Sequence, residues 1–273
     1  MSVVSQAAAF GQLLSQWRRL RGKSQLDLAV DAAVSPRHVS FVETGRSKPS
    51  REMVLTLATA LAVPLRERNA LLLAAGYAPV YRETRLDAPE LEPARRALDT
   101  ILAHHEPFPA IVIDGQWDLL RANQAASAFF ARLLGDARPE GRPNVLRLMF
   151  DERYVKPYVD DWVQVAGDLV QRAHREAAGG TPNEALVRVL KEVLAYPGVP
   201  ARFASLDPDV ALSPFFPISF KKGDLALRYF SLVTTLGTPQ DVTLQELRVE
   251  SFFPADVETE RAAARLLAEH ARA

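Results

Sequence analysis

Arg37, His38, Ser40 and Phe41 fall within five residues of one another, in the run VSPRHVSFVETGRSKPS (34–50). A guanidinium, an imidazole, a hydroxyl and an aromatic face are groups that read base edges. Arginine can span guanine O6 and N7 with two hydrogen bonds, and an apolar group can meet the thymine methyl. Ser35 and Pro36 mark a helix start, the serine as N-cap and the proline at the first helical position, where its missing N–H is not needed. On that helix Val39 and Val42 face inward, while Arg37, Phe41 and Thr44 share the opposite stripe, flanked by His38 and Ser40. The pattern predicts an outward-facing Phe41, which is costly in water unless the ring meets a partner.

Such a helix needs neighbours to hold it. Residues 9–76 show no strand alternation and are broken at 22–24, 33–35, 45–50 and 63–64, which predicts five short helices. The first runs to about Leu20. Ser24 opens the second with a capping box to Asp27, Ser35 the third, Ser50 the fourth and Pro64 the fifth, which Gly76 ends. The second and third form a helix-turn-helix, packed through Leu28 and Ala29 on Val39 and Val42. Gln25, the two helix N-termini, Arg46, Lys48 and Ser50 are placed to hold phosphates, and Glu43 has a structural role. The candidate DNA-contacting set is therefore Gln25, Ser35, Pro36, Arg37, His38, Ser40, Phe41, Thr44, Arg46, Lys48 and Ser50.

The charge distribution agrees. The chain balances 33 basic against 33 acidic residues, yet residues 1–83 hold 11 Lys/Arg and 6 Asp/Glu, and 17–51 hold eight and three. A basic first third attached to an acidic remainder invites a polyanion at one end. The competing reading is a helical bundle with merely solvated charges. The coincidence of capping box, Ser-Pro cap, localised charge and outward stripe favours double-stranded DNA.

The segment APVYRETRLDAPELEP (78–93), with three prolines, reads as a linker. It predicts a DNA-binding domain over 1–80, a linker and connecting helix over 81–106, and a second domain over 107–273. PAIVID and WDLLRA predict a hairpin, Asn123 caps a helix NQAASAFFARLL, and a helical stretch follows over 154–196, interrupted at 179–182. FFPISF (215–220), LALRYFSLVTTL (225–236) and TLQELRVESFF (243–253) read as three further strands, the second apolar on both faces and so central. In the last, Leu247, Val249 and Phe253 alternate with Glu246, Arg248 and Glu250, which predicts a buried and a wet face. A helix over 257–271 closes the chain. The fold class is α+β with two domains: five helices, then an antiparallel sheet with helices, an order of elements consistent with a PAS-like arrangement.

Other chemistries find little footing. No apolar run of about 18 residues exists to span a membrane, the N-terminus lacks a signal-peptide pattern, and the absence of cysteine removes thiol chemistry. These features point to a cytoplasmic protein. There is no GxSxG, no phosphate-cradling glycine loop and no HExxH, so no enzyme is indicated. Adjacent side chains of a helix diverge by about 100°, so His104-His105-Glu106 is not a metal site. Asp151-Glu152 and Asp160-Asp161 fit a solvated acidic face.

SQLDLAVDAAVSPRHVSFVETGRSKPSREMVLTLATALAV resembles the Cro/repressor-like (XRE-type) helix-turn-helix family, with Gln25, Leu28, Ala29, Ser35, Glu43, Gly45 and Pro49 matching its pattern. SPRHVSFVETGRSKPSREMVL, RERNALLLAAGYAPVYRET and TTLGTPQDVTLQELRVESFFPAD are similar to MmyB-like bacterial regulators. The resemblance implies a lambda-repressor-like DNA-binding domain and a PAS-like ligand-binding domain that holds a fatty acid or similar apolar molecule, with no required cofactor. Candidate lining residues are Trp117, Leu119, Phe129, Phe130, Trp162, Tyr229, Phe230, Leu247 and Phe253, although the same spacing describes ordinary core. Arg121, Arg147 and Arg228 are candidate anchors for a carboxylate. The expected partners are a palindromic DNA operator, a small apolar ligand and a second copy of the chain, with no membrane. A constitutive DNA-binding protein whose second domain only dimerises, and an enzyme fused to a DNA-targeting module, remain as alternatives.

Overall fold

A computed structural model describes residues 3–177, 183–205 and 218–272. The chain forms two compact units, Met1–Thr84 with Thr238–Gln245, and Arg85–Gly237 with Glu246–Ala273.

The first unit contains the five expected helices: α1 (Val3–Leu20), α2 (Gln25–Asp31), α3 (Pro36–Glu43), α4 (Arg51–Ala60) and α5 (Leu65–Ala74). Their starts follow local chemistry. Ser24, Ser35 and Ser50 accept from the N–H of Asp27, His38 and Met53, each at 3.1 Å, and the Asp27 carboxylate returns the bond to Ser24 N–H at 2.8 Å. Phe10, Leu14 and Trp17 of α1 are buried in one core with Leu28, Val39, Val42, Val54, Leu57 and Leu72. Pro64, the N-cap of α5, has no side-chain acceptor to offer. Gln245 takes that place, its Oε1 accepting from Leu65 N–H at 2.6 Å. Nearby, the Asp241 carboxylate accepts from Thr84 N–H at 3.1 Å and Val242 N–H donates to the Arg82 carbonyl at 2.8 Å.

The second unit runs α6 (Glu92–His104), β1 (Ala110–Ile113), β2 (Leu119–Ala122), α7 (Gln124–Leu134), α8 (Val145–Phe150), α9 (Trp162–Ala177), α10 (Glu184–Leu194), β3 (Ile218–Lys222), β4 (Leu225–Thr234), β5 (Arg248–Pro254) and α12 (Val257–His270), while α11 (Val242–Glu246), between β4 and β5 in sequence, belongs up to Gln245 to the first unit. The strands form one antiparallel sheet in the order β2-β1-β5-β4-β3. Cross-strand partners point to the same face. The pairs Ile111↔Glu250, Ser231↔Phe252, Ile218↔Tyr229 and Phe220↔Leu227 therefore define one face. Val112, Val249, Phe253 and Phe230 lie on the other. Asn123, 6% exposed, joins three elements. Its Oδ1 accepts from Ala110 and Ala126 N–H, and its Nδ2 donates to the Leu102 and Phe108 carbonyls.

Several details depart from the sequence pattern. The last strand begins at Arg248, because 242–246 is helical: Asp241 Oδ1 accepts from Thr243 N–H at 2.9 Å and starts a helical turn. Glu250 is not on a wet face. It shares the cavity-facing side with Phe252 and is 6% exposed. β4 is flanked on both sides, but β5 is the middle strand. Trp117 sits in the hairpin turn with φ +67° rather than in β2. The expected helical stretch over 154–196 begins with a single 3₁₀ turn at Lys156–Tyr158 and becomes an α-helix only at Trp162, and residues 179–182 and 215–217 lie outside the described ones. No described helix is long and apolar enough to cross a membrane.

Gly11 marks the tightest approach in the first unit. A Cβ there would lie 2.2 Å from the Glu43 carbonyl oxygen, so α1 and the end of α3 touch through backbone. Gly→Ala within a helix ordinarily gains about 1 kcal/mol. Gly11→Ala is expected to reverse that sign and destabilise the first unit by roughly 1–3 kcal/mol. Urea denaturation followed by far-ultraviolet circular dichroism would show it, and a variant as stable as the parent would contradict the close approach.

Candidate functional site

α3 is held from behind. Val39 and Val42 are fully buried, and Glu43 at its end receives two hydrogen bonds from Arg18, at 2.7 and 2.9 Å, and one from Gln25 Nε2 at 2.7 Å. The Glu43 side chain is 5% exposed and that of Arg18 12%, so the pair is largely desolvated. Three helices are joined at one carboxylate. Sequence reasoning gave Glu43 a structural role but missed Arg18, whose position in the last turn of α1 looks like any basic helix terminus. The basic cluster is also partly internal. Arg21 donates to the carbonyls of Leu61 and Ala62, and Lys23 to Asp31 and the Ala60 carbonyl.

The outward side carries most of the expected groups. Pro36 and Arg37 are exposed, and His38 and Ser40 are half-exposed. Phe41 is only half-exposed, because the Arg37 guanidinium lies over its ring, 5.1 Å from the centroid. A cation over the ring face lowers the cost of leaving it near water. Thr44 is exposed, its hydroxyl donating back along the helix to the Ser40 carbonyl at 2.8 Å. Arg46 is exposed beyond Gly45, whose φ of +72° makes the bend. Lys48 stands over the Tyr77 ring at 5.3 Å, and the Tyr77 hydroxyl donates to the Pro49 carbonyl at 2.8 Å. Ser35 and Ser50 use their oxygens as caps, and Gln25 is tethered to Glu43, its amide oxygen not engaged by that bond.

The second unit contains an apolar cavity of ≈ 40 Å³. α7 supplies Phe129 and Phe130, α8 supplies Val145, Leu148 and Met149, and α9 supplies Leu169, with Val155 adjoining. The sheet floor is Ile111, Ile218, Phe220, Phe252 and Glu250. Cavities that enclose small ligands are usually about 300–1,000 Å³, so an occupant must part side chains that touch here.

Glu250 is the one charged residue among the described residues lining this cavity. Its Oε1 accepts from the Ser231 hydroxyl at 2.8 Å. Its Oε2 lies 3.6 Å from Arg172 Nη1, an ion pair beyond hydrogen-bond length. Arg172 Nε donates to Glu176 at 3.0 Å and the guanidinium covers the buried Trp117 ring at 4.6 Å. Trp117 Nε1 donates to the other Glu176 oxygen at 2.9 Å. Arg172 Nη2 is buried and has no hydrogen-bond partner. Sequence reasoning placed Glu250 in water and gave Arg172 no role. The only available signal was a glutamate followed two residues later by Phe252 on the same strand face.

Of the other candidate lining residues, only Phe129 and Phe130 reach the cavity. Trp117 is held by Glu176 and Arg172. Trp162 donates to the Met149 carbonyl under Lys156. Phe230 stacks on Phe253 on the opposite sheet face, and Leu119 and Leu247 stand outside the lining. Tyr229 is core beside Phe129 and Phe252, and burial pushes its phenol pKa upward. None of the three arginines lines the cavity. Arg121 pairs with Asp99 and Arg147 with Glu192, while Arg228 is exposed. In His104-His105-Glu106, His105 bonds the Phe252 carbonyl and Glu106 accepts from Gln124 and Ala125 N–H, at the start of α7.

Two family comparisons match. Residues 94–266 match the MmyB-like transcription regulator ligand binding domain, and residues 9–71 match a helix-turn-helix domain. No curated protein matches the chain.

Glu43→Ala leaves Arg18 without its carboxylate in a desolvated position. The expected loss is about 3 kcal/mol, against roughly 0–1 kcal/mol for an exposed pair. Arg18→Met/Glu43→Leu should recover much of it. Denaturant midpoints of the three proteins check this, and a single-variant loss in the exposed range would show that the pair does not anchor α3.

Proposed function

The chain belongs to the MmyB-like transcription regulators, and on that footing we propose that α3 reads a specific DNA sequence while the second unit takes up an elongated, largely apolar ligand that modulates binding. The helix-turn-helix and the ligand-binding domain make it a transcription regulator with a ligand-binding domain. What supports base reading is the outward face of α3, where Arg37, His38, Ser40 and Phe41 stand clear of the buried Val39 and Val42. Arg37 can leave the Phe41 ring at a cost of about 0.5–1 kcal/mol and engage guanine, exposing the ring to a thymine methyl as it goes. Gln25, Arg46, Lys48 and the capped helix starts hold phosphates. A homodimer sets two α3 helices on half-sites of a palindrome about 34 Å apart, acting in the bacterial cytoplasm.

The apolar cavity supports a ligand of the fatty-acid type. Its small volume means that occupancy separates α7, α8 and α9 from the sheet, and a ligand with different affinity for the two arrangements shifts their populations. The same narrowness favours a second reading, in which the second unit only dimerises. Organic extraction of the purified full chain followed by mass spectrometry separates the two: a co-purifying lipid supports the first, and an empty protein whose DNA affinity ignores added lipid supports the second.

Arg37→Ala is expected to cost about 1–3 kcal/mol and relax preference at one base pair, whereas Lys48→Ala weakens all sequences alike and lowers the salt slope by about 1. Gel-shift titrations on a selected operator and its single-base variants measure both. Uniform losses for both variants would remove the division of roles.

A further inference from the structure

We propose that Glu250 selects the ligand's polar end, so that the cavity takes an elongated apolar molecule ending in a neutral hydroxyl rather than a carboxylate. This rests on the ligand-binding reading above, keeps its elongated apolar chain and replaces the fatty acid's carboxylate with a hydroxyl. Among the described residues, Glu250 is the charged group in an otherwise apolar lining, and its side chain is 8% exposed. Burying a carboxylate there is tolerable only with compensation. The compensation present is incomplete: Ser231 satisfies Oε1, while Oε2 has Arg172 only at 3.6 Å. Arg172 is itself shared with Glu176. One guanidinium thus stands between two carboxylates, a local balance of one negative charge. An incoming carboxylate meets like charge with little water to screen it, which disfavours its ionised form.

A hydroxyl meets the opposite situation. Glu250 Oε2 has capacity to accept its proton, and a hydrogen bond to a charged group is stronger than one between neutral groups. The guanidinium beside Glu250 also carries a buried donor, Nη2, that nothing satisfies. Such an unfilled donor costs free energy, although Arg172 stands behind Glu250 rather than among the residues that line the cavity. A hydroxyl offers both a proton and lone pairs. The three carboxylate-binding candidates of the sequence, Arg121, Arg147 and Arg228, do not line this cavity.

The experiment uses the full-length protein, delipidated, with 1-decanol and decanoate as probes of equal chain length at neutral pH. Both are titrated in competition with the neutral fluorophore N-phenyl-1-naphthylamine. Decanol is expected to bind at least about tenfold more tightly, the scale of one charged hydrogen bond gained against none. In Glu250→Gln, checked for folding by circular dichroism, the preference should shrink by about the same factor, through weaker decanol and stronger decanoate binding. Decanoate binding as well as decanol in the parent protein overturns the proposal whatever the variant does. If the fluorophore binds but neither probe displaces it, the head-group assignment falls alone. If the fluorophore also fails to bind, the ligand-binding reading of the cavity falls with it.

Discussion

The desolvated ion pair between Arg18 and Glu43 is the constraint on which the outward face of α3 depends. Glu43 closes α3, Arg18 lies near the end of α1, and Gln25 opens α2. Their hydrogen bonds meet at one carboxylate, which fixes the rotation of α3 as well as its position. The backbone contact at Gly11 removes the remaining slack between α1 and α3. With the inner face pinned by Val39 and Val42, the orientation of Arg37 and Phe41 follows without any contact of their own to the core of the unit. Neither carboxylate nor guanidinium could be removed singly without leaving a buried charge behind.

The second unit resolves a different problem. Its sheet offers an apolar face to α7, α8 and α9, yet the middle strand places a glutamate on that face. The charge is tolerated because Ser231, on the neighbouring strand, and Arg172, on α9, come to meet it. Trp117 then serves as a platform for Arg172, which explains why a residue with positive φ in a hairpin turn is completely buried. The polar cluster and the apolar cavity are thus one construction.

Local rules were legible in the sequence wherever the chemistry is local. The three serine caps, the five helices, the Asn123 cap and the number and sense of the strands all follow from residues within a turn or two of each other. The inner valines of α3 follow from helical spacing. What escaped was non-local. Strand alternation assigned Glu250 to water because its partners lie 19 and 78 positions away, and period alone carries no information about them. Phe41 read as fully outward because spacing cannot show that Arg37, one turn earlier, covers its ring. Residues 243–246 read as strand through their apolar spacing, while Asp241 had already started a helix there. Of the aromatic candidates for the cavity, Phe129 and Phe130 reach it; the others show that an apolar side chain on the right element can serve either face.

The segment Thr238–Gln245 lies in sequence between two strands of the sheet, yet it is part of the first unit. The chain therefore passes between the units at three junctions rather than one, after Thr84, Gly237 and Gln245. The helix-turn-helix is consequently not a detachable cassette. A fragment ending at Thr84 keeps every residue of α3, but loses the acceptor that Gln245 gives to the start of α5 and those that Asp241 gives to Thr84. Swapping this helix-turn-helix unit onto another regulator would require two pieces of sequence to travel together, separated by more than 150 residues.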